Sequence, residues 1–202
     1  MSNRRILHAV ALTGLFVTAG SAQAFDLTAS LSSFMDSTAS ASGGTCNSEV
    51  GFSPEGSAAR LVAGVLDRAR SRVRLAAYTF TSPDVVRRLI AAKRRGVDVA
   101  VIADAKENTG GRGARAGQAA LNLLVEAGIP VRTVSAYAIH HDKYIVADGE
   151  TVETGSYNYS TAAARRNSEN AVVIANCPSL ASAYEAHWKS RWAQGESYRA
   201  SY

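Results

Sequence analysis

Residues 141–158 read HDKYIVADGETVETGSYN and form the most informative stretch of the chain. Asp148 and Gly149 give a tight-turn signal between two runs of β-type residues, so this stretch predicts a β-hairpin. Side chains two residues apart in an extended strand point to the same face. We therefore expect His141 and Lys143 to project side by side into one site.

The polar residues of this stretch suit the binding of a phosphate group. The imidazole of His141 can act as a nucleophile or proton carrier near neutral pH. The ammonium of Lys143 supplies a positive charge for a non-bridging oxygen, and the Ser156 hydroxyl and the Asn158 amide can donate to the other oxygens. These residue types fit an attack of the imidazole on phosphorus, because donors are needed where oxyanion charge grows.

On either side of the hairpin, strand-like and helix-like patterns alternate. Strands are predicted at residues 72–80 (RVRLAAYTF), 97–104 (VDVAVIAD) and 169–175 (ENAVVIA). Ser53 is predicted to be the N-cap of the first helix and Pro54 its first residue. Further helices are predicted from Ser82-Pro83 to Gly96, over 114–127 before Gly128, over 161–166 and over 178–192. The alternation predicts an α/β fold in which helices sandwich a mixed, largely buried β-sheet.

The N-terminal residues resemble a secretory signal peptide. Arg4 and Arg5 precede an apolar stretch, and Ala22-Gln23-Ala24 fits a cleavage site. We expect cleavage after residue 24, a periplasmic or secreted protein, and no stable membrane insertion; a single uncleaved anchor is the alternative. Residues 25–50 are rich in Ser, Ala, Gly and Thr and are predicted to be a flexible lead-in to one domain, residues 51–202.

Composition and cysteine content narrow the class of protein further. The chain is 47% hydrophobic and 19% charged, which argues against a fibrous or wholly disordered protein. Its net charge of +5 permits a polyanionic substrate without requiring one. The two cysteines, Cys46 and Cys177, match no zinc spacing; in an oxidising compartment they form either one disulfide or two free thiols.

The remaining polar features have less specific interpretations. His140 is expected to point away from His141 as a packing or rim residue, and His187 to join Trp188 and Trp192 on the packed face of the last helix. The segment KENTGGRG, residues 106–113, lacks phosphate-loop spacing and is predicted to be a flexible connector. For Arg165 and Arg166 we expect one of two roles: contact with a nucleic-acid backbone, or exposure on a helical face.

The spacing of the hairpin residues resembles the signature of the phospholipase D superfamily. The matching positions are His141, Lys143, Asp148, Gly155, Ser156 and Asn158. Over residues 51–202 the chain is similar to the small EDTA-resistant periplasmic nucleases, which carry one copy of the motif per chain. The resemblance implies a phospholipase D-like fold and a phosphodiesterase that needs no cofactor or metal.

The resemblance also implies a role for each motif residue. His141 would be the nucleophile, while Lys143, Ser156 and Asn158 would hold the phosphate. Glu169 would hydrogen-bond the histidine ring and orient it. Asp148 completes the catalytic set, chiefly as a structural and electrostatic partner.

The single motif has a consequence for assembly, because larger members of the superfamily bring two motifs into one active site. A two-fold homodimer that pairs His141 of each subunit would restore the pair. The resemblance implies a nonspecific endonuclease that cuts DNA, possibly RNA, through a phosphohistidine. The alternatives are a phospholipase D acting on phospholipid headgroups and a catalytically idle nucleic-acid-binding module.

Overall fold

A computed structural model describes residues 45–110 and 114–200. The predicted signal peptide, residues 1–24, and most of the predicted lead-in lie outside these residues. Residues 47–50, assigned to the lead-in, instead begin an ordered strand. No helix in the described part of the chain is long and apolar enough to cross a membrane.

Eight strands and five helices alternate along the described chain, with one π-helical turn at Lys106–Gly110. The strands are β1 (Asn47–Ser53), β2 (Arg72–Ala77), β3 (Asp98–Asp104), β4 (Val131–Val134), β5 (Lys143–Ala147), β6 (Thr151–Gly155), β7 (Glu169–Ala175) and β8 (Glu196–Ser197). The helices are α1 (Ser57–Arg68), α2 (Pro83–Arg94), α3 (Ala114–Glu126), α4 (Thr161–Arg165) and α5 (Pro178–Gln194).

The strands form one mixed sheet in the order β1-β7-β6-β5-β2-β3-β4-β8. β2, β3 and β4 are parallel, and the remaining pairs are antiparallel. The predicted hairpin is β5 and β6, joined by residues 148–150. Asp148 and Gly149 are both at positive φ (57° and 74°), and the Glu150 N–H donates to Ala147 O at 3.2 Å, as in a type I′ turn. The hairpin joins the parallel part of the sheet, through β2, to the antiparallel part.

Helices cover both faces of the sheet, as predicted. On one face, apolar residues of α1, α2 and α3 pack with Val73, Leu75, Val101 and Ile145. On the other face, α5 packs Ala181 and Trp188 against Ala76, Ile102 and Val146. Strands buried on both faces explain the near-continuous apolar runs in the sequence. The fold is therefore the expected α/β sandwich.

The first helix begins later than predicted. Ser53 and Pro54 were expected to be its N-cap and first residue, but Ser53 ends β1 and is followed by a cis peptide bond to Pro54. The helix begins at Ser57 after Gly56, which has a φ of 85°. The Ser57 hydroxyl donates to Phe52 O and accepts from Phe52 N, so this serine joins the helix start to β1.

A disulfide bond ties β1 to the body of the domain. Cys46, directly before β1, bonds to Cys177, the residue before α5, across a sequence separation of 131. β1 pairs with β7 over seven residues and forms one edge of the sheet. The bond therefore fixes the chain directly before β1.

Candidate active site

The sheet topology gathers the motif residues at one edge. Lys143, the first residue of β5, pairs with Ala77, the last of β2. Gly155, the last residue of β6, pairs with Ala171 near the start of β7. The chain segments leaving β2 and β6 and entering β5 and β7 therefore meet at the same place, which is why residues far apart in sequence can form one site.

His141 and Lys143 lie together, although not as members of one strand. β5 begins at Lys143, so His141 lies before the strand. The alternation of side chains along an extended strand therefore does not explain how His141 and Lys143 come together. Instead, Lys143 Nζ donates to the carbonyl oxygen of His141 at 2.9 Å. The Tyr78 ring lies 4.6 Å from the exposed His141 ring in an edge arrangement, and Lys143 Nζ lies 5.3 Å from the same tyrosine ring.

The Lys143 ammonium is buried, and this changes its acid strength. Burial lowers the pKa of Lys143, while the negative charges of Glu169 and Asp142 act to raise it. Its positive charge lies against the carbonyl oxygen of His141. Such a charge strongly attracts an incoming phosphate.

Glu169 and Ser156 form a second polar pair at this edge. Ser156 Oγ donates to Glu169 Oε2 at 2.6 Å and accepts from the Asn170 backbone N–H at 3.0 Å. The other Glu169 oxygen accepts from Asn167 Nδ2 at 2.9 Å. The predicted bond from Glu169 to the His141 ring is not among the hydrogen bonds of the described residues; in this state the carboxylate positions Ser156.

Gly155 allows Ser156 to take up this position. A Cβ on Gly155 would lie 2.3 Å from the Asn170 carbonyl oxygen, so only glycine permits the close approach. That oxygen accepts the backbone N–H groups of Ser156 and Tyr157 at 3.1 and 3.2 Å. The glycine of the motif thus serves backbone packing and sets the position of the serine that follows it.

Asn158 faces the segment that leaves β2. Its Oδ1 accepts from the Thr79 backbone N–H at 3.4 Å, and its side chain is half-buried. With that oxygen occupied, the amide NH₂ group is the part of the side chain that can donate to a phosphate. Asn158 is thus placed next to the segment that contains Tyr78, and Tyr78 in turn contacts the His141 ring.

Asp148 does not lie with the other motif residues. It occupies the turn at the opposite end of β5, where its carboxylate accepts from the backbone N–H groups of Arg70, Ser71 and Arg72 and from the Ser71 hydroxyl. Burial acts to raise its pKa, but these hydrogen bonds outweigh burial and the pKa is lowered. Asp148 is therefore a structural residue that fixes the entry to β2, and its grouping with the catalytic residues is not supported by its position.

Several supporting residues were missed by the sequence analysis. Asn108, fully buried in the π-helical turn, accepts from Phe80 N and donates to Tyr78 O and Asp104 O. Asp104 accepts from the His140 backbone N–H at 2.7 Å. The segment predicted as a flexible connector is thus ordered over residues 106–110 and holds Tyr78 in place, while Asp104 at the end of β3 holds His140. Residues 111–113 lie outside the described chain.

A cleft of about 460 Å³ opens beside His141. Its lining residues are His141, Asp142, Lys143, Tyr144, Thr154, Gly155, Ala183, Tyr184 and His187. His187 was expected on a packed face, but its side chain is 38% exposed and its Nδ1 lies 2.9 Å from the Tyr144 hydroxyl. His140 is buried, as a packing residue should be, while Trp188 is buried and stacks on Trp192.

Known proteins resemble this chain in sequence and in fold. A family model described as "Cardiolipin synthase, PLD-like domain" matches residues 62–192. "Phospholipase D" of Rickettsia bellii is 33% identical over 143 residues, covering 71% of this chain and 68% of the relative. "Mitochondrial cardiolipin hydrolase" of Xenopus laevis is 33% identical over 133 residues, covering 66% of this chain and 60% of the relative.

Solved structures agree with the sequence relatives. Nuc from Salmonella typhimurium, a phospholipase D family member, has a TM-score of 0.73 and 51% identity over 76% of this chain and 99% of its own. NucT from Helicobacter pylori shares the fold, with a TM-score of 0.63 at 18% identity over 76% of this chain and 99% of its own. The match across more than half of the chain, together with the gathered His141 and Lys143, places this protein in the phospholipase D superfamily as a phosphodiesterase.

Proposed function

We propose that this phosphodiesterase is a nonspecific, metal-independent endonuclease that works through a covalent phosphohistidine on His141. The observation that carries the proposal is the exposed His141 ring beside the buried Lys143 ammonium at the mouth of the cleft. The 51% identity to Nuc, which spans 99% of that chain, supports nucleic acid as the substrate. DNA is the expected substrate, with RNA as a further one.

The reaction would proceed in two steps. A ring nitrogen of His141 attacks phosphorus, so that an N–P bond forms and the bond from phosphorus to the 3′ oxygen breaks. A proton donated by a second histidine neutralises that leaving oxygen. Water then attacks phosphorus, with the second histidine now acting as the base, and the N–P bond breaks to release a 5′-phosphate end.

The phosphate would be held by groups already in place. Lys143 supplies the positive charge that a divalent cation otherwise supplies, and the Asn158 amide and the Ser156 hydroxyl are the neutral donors. Ser156 donates to Glu169 in the present arrangement, so it would exchange that bond for one to the phosphate. Glu169 would then be available to accept from the His141 ring in the reacting complex.

The second histidine is proposed to be His141 of another copy of the chain. A two-fold homodimer brings identical surfaces together, so an exposed residue near the axis meets its own counterpart. We further propose that the protein acts in the periplasm or outside the cell, after removal of residues 1–24. Light scattering of the purified protein should report a dimer; a fully active monomer would refute the shared site.

Phospholipid hydrolysis is the second candidate function. The relatives named phospholipase D and mitochondrial cardiolipin hydrolase favour it, since the names refer to lipid substrates. Their motif chemistry would be identical, because both substrates present a phosphodiester. The choice therefore rests on the substrate surface around the cleft.

One experiment separates the candidates. The purified protein is incubated, in excess chelator, with plasmid DNA, with phosphatidylcholine liposomes and with cardiolipin liposomes. Cleaved DNA without released headgroup supports the nuclease, released lipid product supports the second candidate, and neither product supports an idle binding module. His141→Ala, which should abolish turnover while the protein still folds, is the control for each substrate.

A further inference from the structure

The cleft continues beyond His141 into a second hollow of about 250 Å³. His141, Asp142 and His187 line both spaces, so the two form one groove. The far part is completed by Tyr137, Ile139, His140 and Arg191. We call this far part the α5 extension.

Successive turns of α5 line the groove from one end to the other. Tyr184 lines the cleft, His187 lines both spaces, and Arg191 lines the α5 extension. Because an α-helix rises about 1.5 Å per residue, the seven residues from Tyr184 to Arg191 span about 10 Å. The groove is therefore longer than a single phosphate group needs.

The side chains of the α5 extension are of the aromatic and basic types that can bind a nucleotide strand. Tyr137 is 41% exposed, its hydroxyl donates to Gln194 Oε1 at 2.8 Å, and the Arg191 guanidinium lies 4.8 Å from its ring centroid. The aromatic ring is thus oriented by two residues of α5 while much of it stays accessible. Aromatic rings on which bases stack, combined with basic side chains, are the usual means of binding single strands.

The floor between the two spaces is also polar and fixed. The Tyr144 hydroxyl holds His187 Nδ1 at 2.9 Å. Asp142, the acidic residue of the groove, lies 3.4 Å from His140 Nδ1 and 3.9 Å from His187 Nδ1. The carboxylate is therefore close to two imidazoles, while the guanidinium of Arg191 lies further along the groove.

We propose that the α5 extension is a subsite for the nucleotide next to the scissile phosphate, with its base stacked on Tyr137 and its phosphate bound by Arg191. The inference rests on the proposed nuclease function and deepens it, because it explains how a polynucleotide is preferred over a small phosphodiester. A small diester carries no second phosphate for Arg191 to bind and no base to stack on Tyr137. A strand that continues along α5 contacts both residues.

The test compares a short single-stranded oligonucleotide with bis(4-nitrophenyl) phosphate, which reports on the chemistry alone. For Tyr137→Ala and Arg191→Ala, kcat/KM for the oligonucleotide, divided by that for the small diester, should fall about tenfold or more, because each base stacked on an aromatic ring contributes substantially to binding. The loss should appear in KM. Tyr137→Phe, which keeps the ring, should retain most of the ratio, and Arg94→Ala, an exposed arginine of α2, is the matched control.

An unchanged ratio in both alanine variants would overturn the subsite. So would an equal loss on both substrates, or dissociation of the variants to monomers in light scattering, since these results would assign Tyr137 to structure or to contact between copies. Failure of the nuclease proposal looks different: the wild-type protein would hydrolyse bis(4-nitrophenyl) phosphate but leave the oligonucleotide intact.

Discussion

At the residue scale, Lys143 combines two properties that are rarely found together. Its side chain is buried at the start of β5, yet it carries an ammonium, which donates to the carbonyl oxygen of the exposed His141. Burial lowers the pKa of Lys143, and Glu169 and Asp142 oppose that effect. A buried ammonium costs free energy in the empty protein, so its position is explained by the negative charge that it meets in the reaction.

Replacing Lys143 with methionine tests this role. Lys143→Met keeps the length of the side chain and removes the charge, so kcat should fall about a hundredfold or more, as with the loss of one oxyanion donor. Lys189→Met is the matched control, since Lys189 is exposed on α5. Steady-state hydrolysis of bis(4-nitrophenyl) phosphate measures both; equal rates for the two variants would show that the Lys143 charge plays no part.

Glu153 is a second buried ionisable residue, and it serves the fold. It lies in β6 with 1% of its surface exposed, and its Oε2 accepts from the Tyr159 hydroxyl at 2.9 Å. Burial raises its pKa from 4.5 to about 8, while the tyrosine hydrogen bond acts in the opposite direction. The carboxyl group is therefore protonated in the folded protein at neutral pH.

This raised pKa makes stability depend on pH. Between about pH 5 and 8 the unfolded chain releases the Glu153 proton and the folded chain keeps it, so the free energy of unfolding should fall by up to about 1.4 kcal/mol per pH unit. Glu153→Gln removes this contribution. Urea unfolding at a series of pH values should show the variant gaining on the wild type up to about pH 8 and not beyond; parallel profiles would contradict the buried acid.

At the scale of the elements, the end of the hairpin determines where Ser156 lies. Gly155→Ala would place a Cβ 2.3 Å from Asn170 O, so β6 and β7 must separate locally and Ser156 must move. Overpacking of this kind costs about 1–3 kcal/mol of stability. We expect lower stability together with a large loss of kcat.

A matched glycine provides the control. A Cβ on Gly64, inside α1, would meet the flexible guanidinium of Arg68, and alanine is favoured over glycine within a helix. Gly64→Ala should therefore keep both activity and thermal stability. If Gly155→Ala behaves like Gly64→Ala in a melting and rate comparison, the close approach is unimportant to the site.

Element type could be predicted wherever the local signal and the tertiary fold agree. The Ser82 cap of α2 and the Asp148-Gly149 turn are local devices, and the structure has both. Ser53-Pro54 carries a similar helix-start signal but is used in a strand end, because pairing with β7 outweighs local preference. The short strands β4 and β8 were missed; they are defined by their partners across the sheet rather than by their own sequence.

The candidate site, too, could be predicted from the sequence only in part. The spacing of the motif indicated His141, Lys143, Ser156 and Asn158, which the structure gathers at one edge, but spacing alone could not place Asp148 at the far end of β5. Tyr78 was missed because it contacts His141 only through the pairing of β2 with β5. His187 was assigned to the core from its tryptophan neighbours, although an α-helix directs adjacent residues to different faces.

At the scale of the whole molecule, the proposal requires two chains for one reaction. A heterodimer of wild-type and His141→Ala subunits, isolated through two different affinity tags, separates a shared site from independent sites. Independent sites would leave about half of the wild-type activity per dimer, whereas a shared site should reduce it nearly to that of the variant homodimer. Activity close to one half would contradict the sharing of His141.

The covalent step can be observed directly by trapping. Wild-type protein mixed with an end-labelled oligonucleotide in chelator is quenched within the first turnover under alkaline denaturing conditions, which preserve phosphohistidine, and the digested peptides are analysed by mass spectrometry. We predict a 5′-phosphoryl-nucleotide attached to the peptide containing His141, and no such adduct in His141→Ala. Efficient cleavage with no adduct at any quench time, or an adduct on a different residue, would contradict the account.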